Sequence, residues 1–168
     1  HSIPWQHNLK VTLVPAVKHP ENPVLRRGPE GAPDHGHAVL YGTVIKDGAK
    51  FRMWYLGMFE AALVKGNAPG WWRPMCYAES ADGVHWTKPE LGLHEFEGSK
   101  QNNIVWVNTG SHNFTPFKDQ NPACAPDARY KALAGGRGGL LALKSADGLR
   151  WTTMAEKPVI TKGAFDSQ

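Results

Sequence analysis

The sequence predicts an all-β fold built from repeated four-stranded units. Three observations predict it. An eight-residue turn is duplicated, the apolar runs are short and β-like, and Gly and Pro make up 18 and 13 of the 168 residues. So many breakers exclude a helical bundle or a coiled coil, and no amphipathic helix longer than about ten residues is indicated. The 41% hydrophobic and 20% charged residues are a globular balance.

The duplicated turn is the strongest of these signals. Residues 80–87 read Ser-Ala-Asp-Gly-Val-His-Trp-Thr, and 65 positions later residues 145–152 read Ser-Ala-Asp-Gly-Leu-Arg-Trp-Thr. Asp-Gly after a β-like run favours a hairpin, because glycine adopts positive φ without a Cβ clash. Long-period repetition of this kind is typical of propellers and other repeat architectures.

The strands follow in order around these turns. In the first unit, strands are predicted over 36–45, 51–59 and 73–79, with a hairpin turn at 46–49. In the second unit they are predicted over 114–117, 130–134 and 140–144. The glycine-rich stretch 135–139 lacks the spacing and following helix of a phosphate loop, so it is interpreted as a hairpin connection.

Repeated four-stranded units of this size predict β-propeller blades. We divide the chain into an N-terminal segment (1–32), a first blade (33–104), a second blade (105–160) and the start of a third (161–168). Propellers have at least four blades, or roughly 260 residues at this repeat length. We therefore expect the remainder of the propeller to come from the same protein or from another chain.

Charge, hydrophobic patterning and cysteine content argue against a nucleic-acid binder, a membrane-spanning protein and a four-thiolate zinc protein. The net charge of +4 comes from scattered Lys and Arg residues, whereas a nucleic-acid binder would cluster them. No apolar run approaches the roughly 18 residues of a membrane span. Cys76 and Cys124 permit one disulfide or two free thiols, and two thiols cannot form a four-thiolate zinc site.

Three aspartates recur after a weaker repeat, in which a short apolar strand is followed by Gly. Asp34, Asp119 and Asp166 follow Gly28, Gly110 and Gly163 in the three copies. The first strand of each propeller blade lines the central channel, so we expect the three carboxylates to converge on one pocket. Grouped carboxylates are the equipment of glycoside hydrolysis. The alternative is that each Asp simply caps a turn.

Histidines near these aspartates are candidates for the same pocket. His35 and His37 point the same way if they lie on a strand, which would permit a metal site, and His112 lies further along the chain. We interpret them as substrate-contacting residues and expect neither a metal nor a cofactor.

Aromatic residues complete the predicted site. Trp71 and Trp72 follow a Pro-Gly loop and precede Arg73, a position suited to stacking on a sugar ring. The tryptophans of the two duplicated turns, Trp86 and Trp151, are interpreted as structural.

Residues 22–34, 50–55, 76–86 and 92–105, with the ending Phe-Asp-Ser-Gln, resemble the opening blades of bacterial five-bladed β-propeller glycosidases. That clan includes invertase-like family 32 and arabinanase-like family 43. The resemblance implies that Asp34 is the nucleophile or base, Asp119 the transition-state stabiliser and Asp166 the general acid. It implies a carbohydrate substrate.

Two functions follow from the sequence. The first is a secreted or periplasmic glycoside hydrolase acting on an oligo- or polysaccharide. The alternative is a catalytically inactive propeller that binds glycans through aromatic stacking and hydrogen bonds. An interaction scaffold of the Trp-Asp type is disfavoured, because its repeat is near 40 residues. We expect no nucleic-acid or membrane partner.

Overall fold

The computed structural model describes residues 7–8, 10, 12–59, 73–107, 109–136 and 138–163. They form two four-stranded antiparallel sheets, with strand orders β1-β2-β3-β4 and β5-β6-β7-β8. The first sheet comprises β1 (His37–Asp47), β2 (Lys50–Met58), β3 (Met75–Ser80) and β4 (Ile104–Trp106). The second comprises β5 (Thr115–Lys118), β6 (Tyr130–Gly136), β7 (Gly139–Ser145) and β8 (Thr152–Thr153).

The all-β prediction is confirmed. The helical content of the described residues is a short 3-10 helix at Pro126–Ala128, so none of their helices could cross a bilayer. The predicted hairpins occur where Gly takes positive φ: Gly48 joins β1 to β2 with a φ of 63°. Residues 135–139 form the β6–β7 hairpin, in which Gly136 pairs with Gly139.

The two duplicated turns share one hydrogen-bond pattern. Ser80 Oγ accepts the Gly83 amide at 2.9 Å, and Ser145 Oγ accepts the Gly148 amide at 2.8 Å. In each turn the Asp carboxylate accepts the backbone amides two and three residues further along the chain, and the Trp indole donates to the glycine carbonyl. The repeated sequence therefore specifies a repeated turn, and the structural interpretation of both tryptophans agrees with these contacts.

The main core lies between the two sheets. Alternate residues of the first sheet point towards the second, and the buried members include Trp54, Tyr77, Phe114, Leu143 and Trp151. Phe114 and Trp151 pack edge to face, with ring centroids 5.0 Å apart. A smaller core covers the opposite face of the first sheet, where Leu25 and Phe96 pack over Tyr55 and Cys76.

A buried guanidinium joins the sheets. Arg52 donates to the Tyr77 hydroxyl at 2.9 Å, to the Tyr130 hydroxyl at 2.7 Å and to the Asp147 carbonyl at 2.6 Å, and it pairs with Asp47 at 3.2 Å. Tyr130 lies in β6 and Asp147 in the turn between β7 and β8, while Asp47 ends β1 and accepts a hydrogen bond from Tyr130. Arg52 thus ties the second duplicated turn to the first sheet.

The carboxylate of Asp47 is strongly held in this network. Burial acts to raise its pKa, but hydrogen bonds from Lys118, Tyr130 and Arg52 outweigh burial and lower the pKa to about 2. The native state therefore favours the ionised form, and folding stability contributed by Asp47 is present above its usual pKa of about 4 and is lost as the pH falls towards 2.

Candidate functional site

Asp34 lies three residues before β1 and is 1% exposed. Three donors hold its carboxylate. The Gly28 amide donates to Oδ1 at 3.1 Å, the Tyr55 hydroxyl donates to Oδ2 at 2.8 Å, and the Lys88 ammonium forms an ion pair with Oδ2. A buried carboxylate needs such compensation, and here it also fixes the orientation of both oxygens.

A second layer of hydrogen bonds orients Tyr55. Asn103 Nδ2 donates to the Tyr55 hydroxyl at 2.8 Å and to the Tyr77 carbonyl at 2.7 Å. Burial is the main cause that raises the pKa of Tyr55 far above its usual value, so the phenol stays neutral and donates to Asp34. Asn103, Tyr55 and Asp34 therefore form a directed chain.

This carboxylate lies in the wall of a cavity of about 400 Å³. The walls include Asp34, Lys88, Phe96, Asn102 and Asn103, and the volume is within the usual range for small-molecule sites. Asp119 is not among the described residues that line it.

β1 and β5 lie side by side and run in the same direction. The Tyr41 ring stacks on His112 with centroids 4.7 Å apart, and at the far ends of the strands Lys118 pairs with Asp47. Tyr41 of β1 and His112, just before β5, are neighbours, and so are the later residues, Asp47 and Lys118. Both strands therefore start at the same edge of the molecule. We call it the entry edge.

Several predicted site residues lie at the entry edge. His35 and His37 are at the start of β1, and His112 precedes β5. Arg73 is half-buried two residues before β3, which begins at the same edge because β1, β2 and β3 alternate in direction. Trp71, Trp72 and Asp166 lie outside the described residues.

Asp119 is placed differently. It follows the last residue of β5, so it lies at the edge opposite to Asp34. Its carboxylate pairs with Lys131 and accepts the Asn121 amide at 2.9 Å. The hydrogen bond from Lys131 is the largest cause that lowers the Asp119 pKa to about 2. The structure therefore does not bring Asp34 and Asp119 together, and these contacts of Asp119 are those of a turn cap.

Sequence reasoning missed the groups that hold Asp34. Lys88 is 54 residues away in the chain, and nothing in its sequence neighbourhood indicates the ion pair.

The two cysteines, Cys76 and Cys124, are free thiols and not a disulfide. Burial is the main cause that raises the pKa of Cys76. The described residues contain no group of three or more potential metal ligands.

No family profile and no curated protein matches the chain significantly. A protein from Parabacteroides distasonis, provisionally described as a glycoside hydrolase, has a solved structure that is similar over 81% of this chain, with 16% sequence identity and a TM-score of 0.47. This chain spans 40% of the length of that protein.

Proposed function

We propose that this chain is part of a glycoside hydrolase that acts on an oligo- or polysaccharide. The observation that carries the proposal is the Asp34 carboxylate, which is oriented by three donors in the wall of a cavity of about 400 Å³. The all-β architecture of two adjacent four-stranded sheets and the sequence resemblance to propeller glycosidases support it.

The contacts of Asp34 suit one of the two carboxylate roles. All three neighbours donate to it, so it is held as an acceptor, which suits a nucleophile or a base that activates water. The general acid must then be another carboxyl, across the scissile bond at roughly 5–10 Å. We assign that role to Asp166, as the resemblance implies, and we assign no step to Asp119.

The remaining parts of the proposal concern substrate and location. His35, His37, Arg73 and His112 contact the sugar at the entry edge, together with Trp71 or Trp72. The protein is secreted or periplasmic, where polysaccharides are found, and further blades complete the site.

The second candidate is a glycan-binding propeller without catalysis. It is favoured by the 1% exposure of Asp34, because a carboxylate so covered and already paired with Lys88 meets a substrate only if Lys88 moves aside. Binding through aromatic and hydroxyl contacts needs no such movement.

One substitution separates the two functions. Asp34→Asn keeps the shape of the side chain but removes its charge, so turnover of a hydrolysed glycan falls by roughly a thousandfold or more while affinity changes little. Release of reducing sugar from arabinan, fructan and xylan measures turnover, and calorimetry measures affinity. Asp127→Asn, at an exposed carboxylate paired with Lys144, is the matched control. Complete wild-type protein, including the further blades, that binds one of these glycans without cleaving it establishes the second function, and complete protein that neither binds nor cleaves any of them refutes both.

A further inference from the structure

A repeated pattern marks the chain before β1 and before β5. Residues 31–34 read Gly-Ala-Pro-Asp, and residues 110–113 read Gly-Ser-His-Asn. Both glycines have positive φ, 83° at Gly31 and 93° at Gly110. β1 begins three residues after Asp34 and β5 begins two residues after Asn113. By position in the fold, the counterpart of Asp34 in the second sheet is therefore Asn113.

Asn113 has an unusual backbone. Its φ is 61°, in the left-handed region that Asn adopts more readily than most residues other than glycine, and it is 8% exposed. Gly135 leaves room for it, since a Cβ on Gly135 would lie 3.3 Å from Asn113 Cβ. The left-handed turn at this position sets the direction of the residue that precedes it in the chain.

That neighbour is His112, which is exposed and stacked on Tyr41. Tyr41 lies where the register of β1 against β2 breaks, between Val39 and Thr43. The break is held by Gly42, where a Cβ would lie 2.2 Å from the Trp54 carbonyl oxygen. A strand irregularity on one sheet and a left-handed residue on the other thus bring the two rings together.

We propose that Tyr41 and His112 form a sugar-contacting platform at the junction of the two sheets, and that Asn113 is the residue that positions it. The rings supply an apolar face for the C–H groups of a neutral sugar, while the imidazole and phenol edges hydrogen-bond to its hydroxyls. The left-handed backbone of Asn113 sets the direction in which His112 leaves the chain. This inference rests on the proposed glycan-acting function and deepens it.

The test is calorimetric titration of wild-type and variant proteins with arabinohexaose, xylohexaose, cellohexaose and a fructo-oligosaccharide. His112→Ala and Tyr41→Leu should each raise the Kd about tenfold. Asn113→Gly tolerates positive φ but frees the backbone, so it should raise the Kd about threefold. Aspartate also tolerates the left-handed conformation, so Asn113→Asp should keep the wild-type affinity. Where turnover occurs, KM should rise while kcat stays within about twofold, a split that general loss of structure would not produce.

Two controls match these changes. His19→Ala removes an exposed histidine of the N-terminal segment, and Glu97→Gly acts at another residue with positive φ, 48°, which is exposed where Asn113 is buried. Both should leave the Kd unchanged. If wild-type protein binds a probe and His112→Ala binds it equally well, the platform and the sugar contact assigned to His112 are refuted, while the assignment of hydrolysis to Asp34 stands. If only Asn113→Gly is without effect, the positioning role is refuted. If wild-type protein binds and cleaves none of the probes, the proposed function fails and this inference fails with it.

Discussion

Arg52→Met is expected to weaken the junction of the two sheets severely. The side chain of Arg52 is 7% exposed, and Met has a similar length but no donors. The substitution removes hydrogen bonds to two tyrosine hydroxyls, the Asp147 carbonyl and Asp47. Asp47 keeps Lys118 and Tyr130 as partners, so it is not left unpaired.

The magnitude follows from those losses. Because Asp47 keeps two partners, the loss from the ion pair itself stays below the roughly 3–5 kcal/mol that follows when a buried charge is left unpaired. Hydrogen bonds to charged groups contribute about 1.5–3 kcal/mol each, and the methionine side chain recovers part of the loss through apolar packing. We therefore expect a loss of about 4 kcal/mol in the free energy of unfolding, or roughly 8–16 °C in Tm for a domain of this size.

Urea denaturation at pH 7 measures the effect, with tryptophan fluorescence as the signal because Trp54 is completely buried between the sheets. Lys50→Met on the same strand is the matched control. Its ion pair with Glu79 is exposed, with half of the Lys50 side chain accessible, so after allowance for solvent screening it should cost under about 0.5 kcal/mol. A loss below about 1.5 kcal/mol for Arg52→Met would refute the view that the guanidinium network joins the sheets.

Two further predictions concern the same junction. Gly148→Ala should destabilise the protein by about 1–3 kcal/mol more than Gly83→Ala, because a Cβ at 148 would lie 3.0 Å from the Trp54 ring whereas one at 83 lies 3.7 Å from Phe51. Both positions have positive φ, so equal losses in urea denaturation would contradict the packing argument. Stability should also fall as the pH drops from about 4 to 2, as the Asp47 carboxylate gains its proton, and Asp47→Asn should flatten that part of the profile; an unchanged slope would exclude Asp47 as a cause.

The fold was predictable because its signals are local. Asp-Gly turns, short apolar runs and frequent Gly and Pro each act within a few residues, and they place the hairpins correctly at Gly48, Gly83 and Gly148. The duplicated turn added the repeat, which shows that two units share one architecture.

The site was less predictable because its contacts are distant in the chain. Lys88 reaches Asp34 across 54 positions, and Asn103 reaches Tyr55 across 48. Asp119 was grouped with Asp34 because both follow a Gly marker, but β5 separates Gly110 from Asp119 and carries the chain to the opposite edge. The shorter spacing from Gly110 to Asn113 is present in the sequence. It was not recognised because Asn113 carries an amide where Asp34 carries a carboxylate.

The coverage of the first sheet on both faces has a consequence for local stability. Its β2 and β3 are enclosed between the second sheet and the cover that includes Leu25 and Phe96, whereas the outer face of the second sheet carries Phe117, half exposed, beside Lys131 and Leu133. In the described part of the chain, taken by itself, opening of β2 or β3 must therefore disrupt two layers, and opening of β6 one. In a protein built from neighbouring units, stability depends on how many neighbours each unit has. Backbone amides in β2 and β3 should consequently exchange with solvent more slowly than those in β6, although the two hairpins are alike.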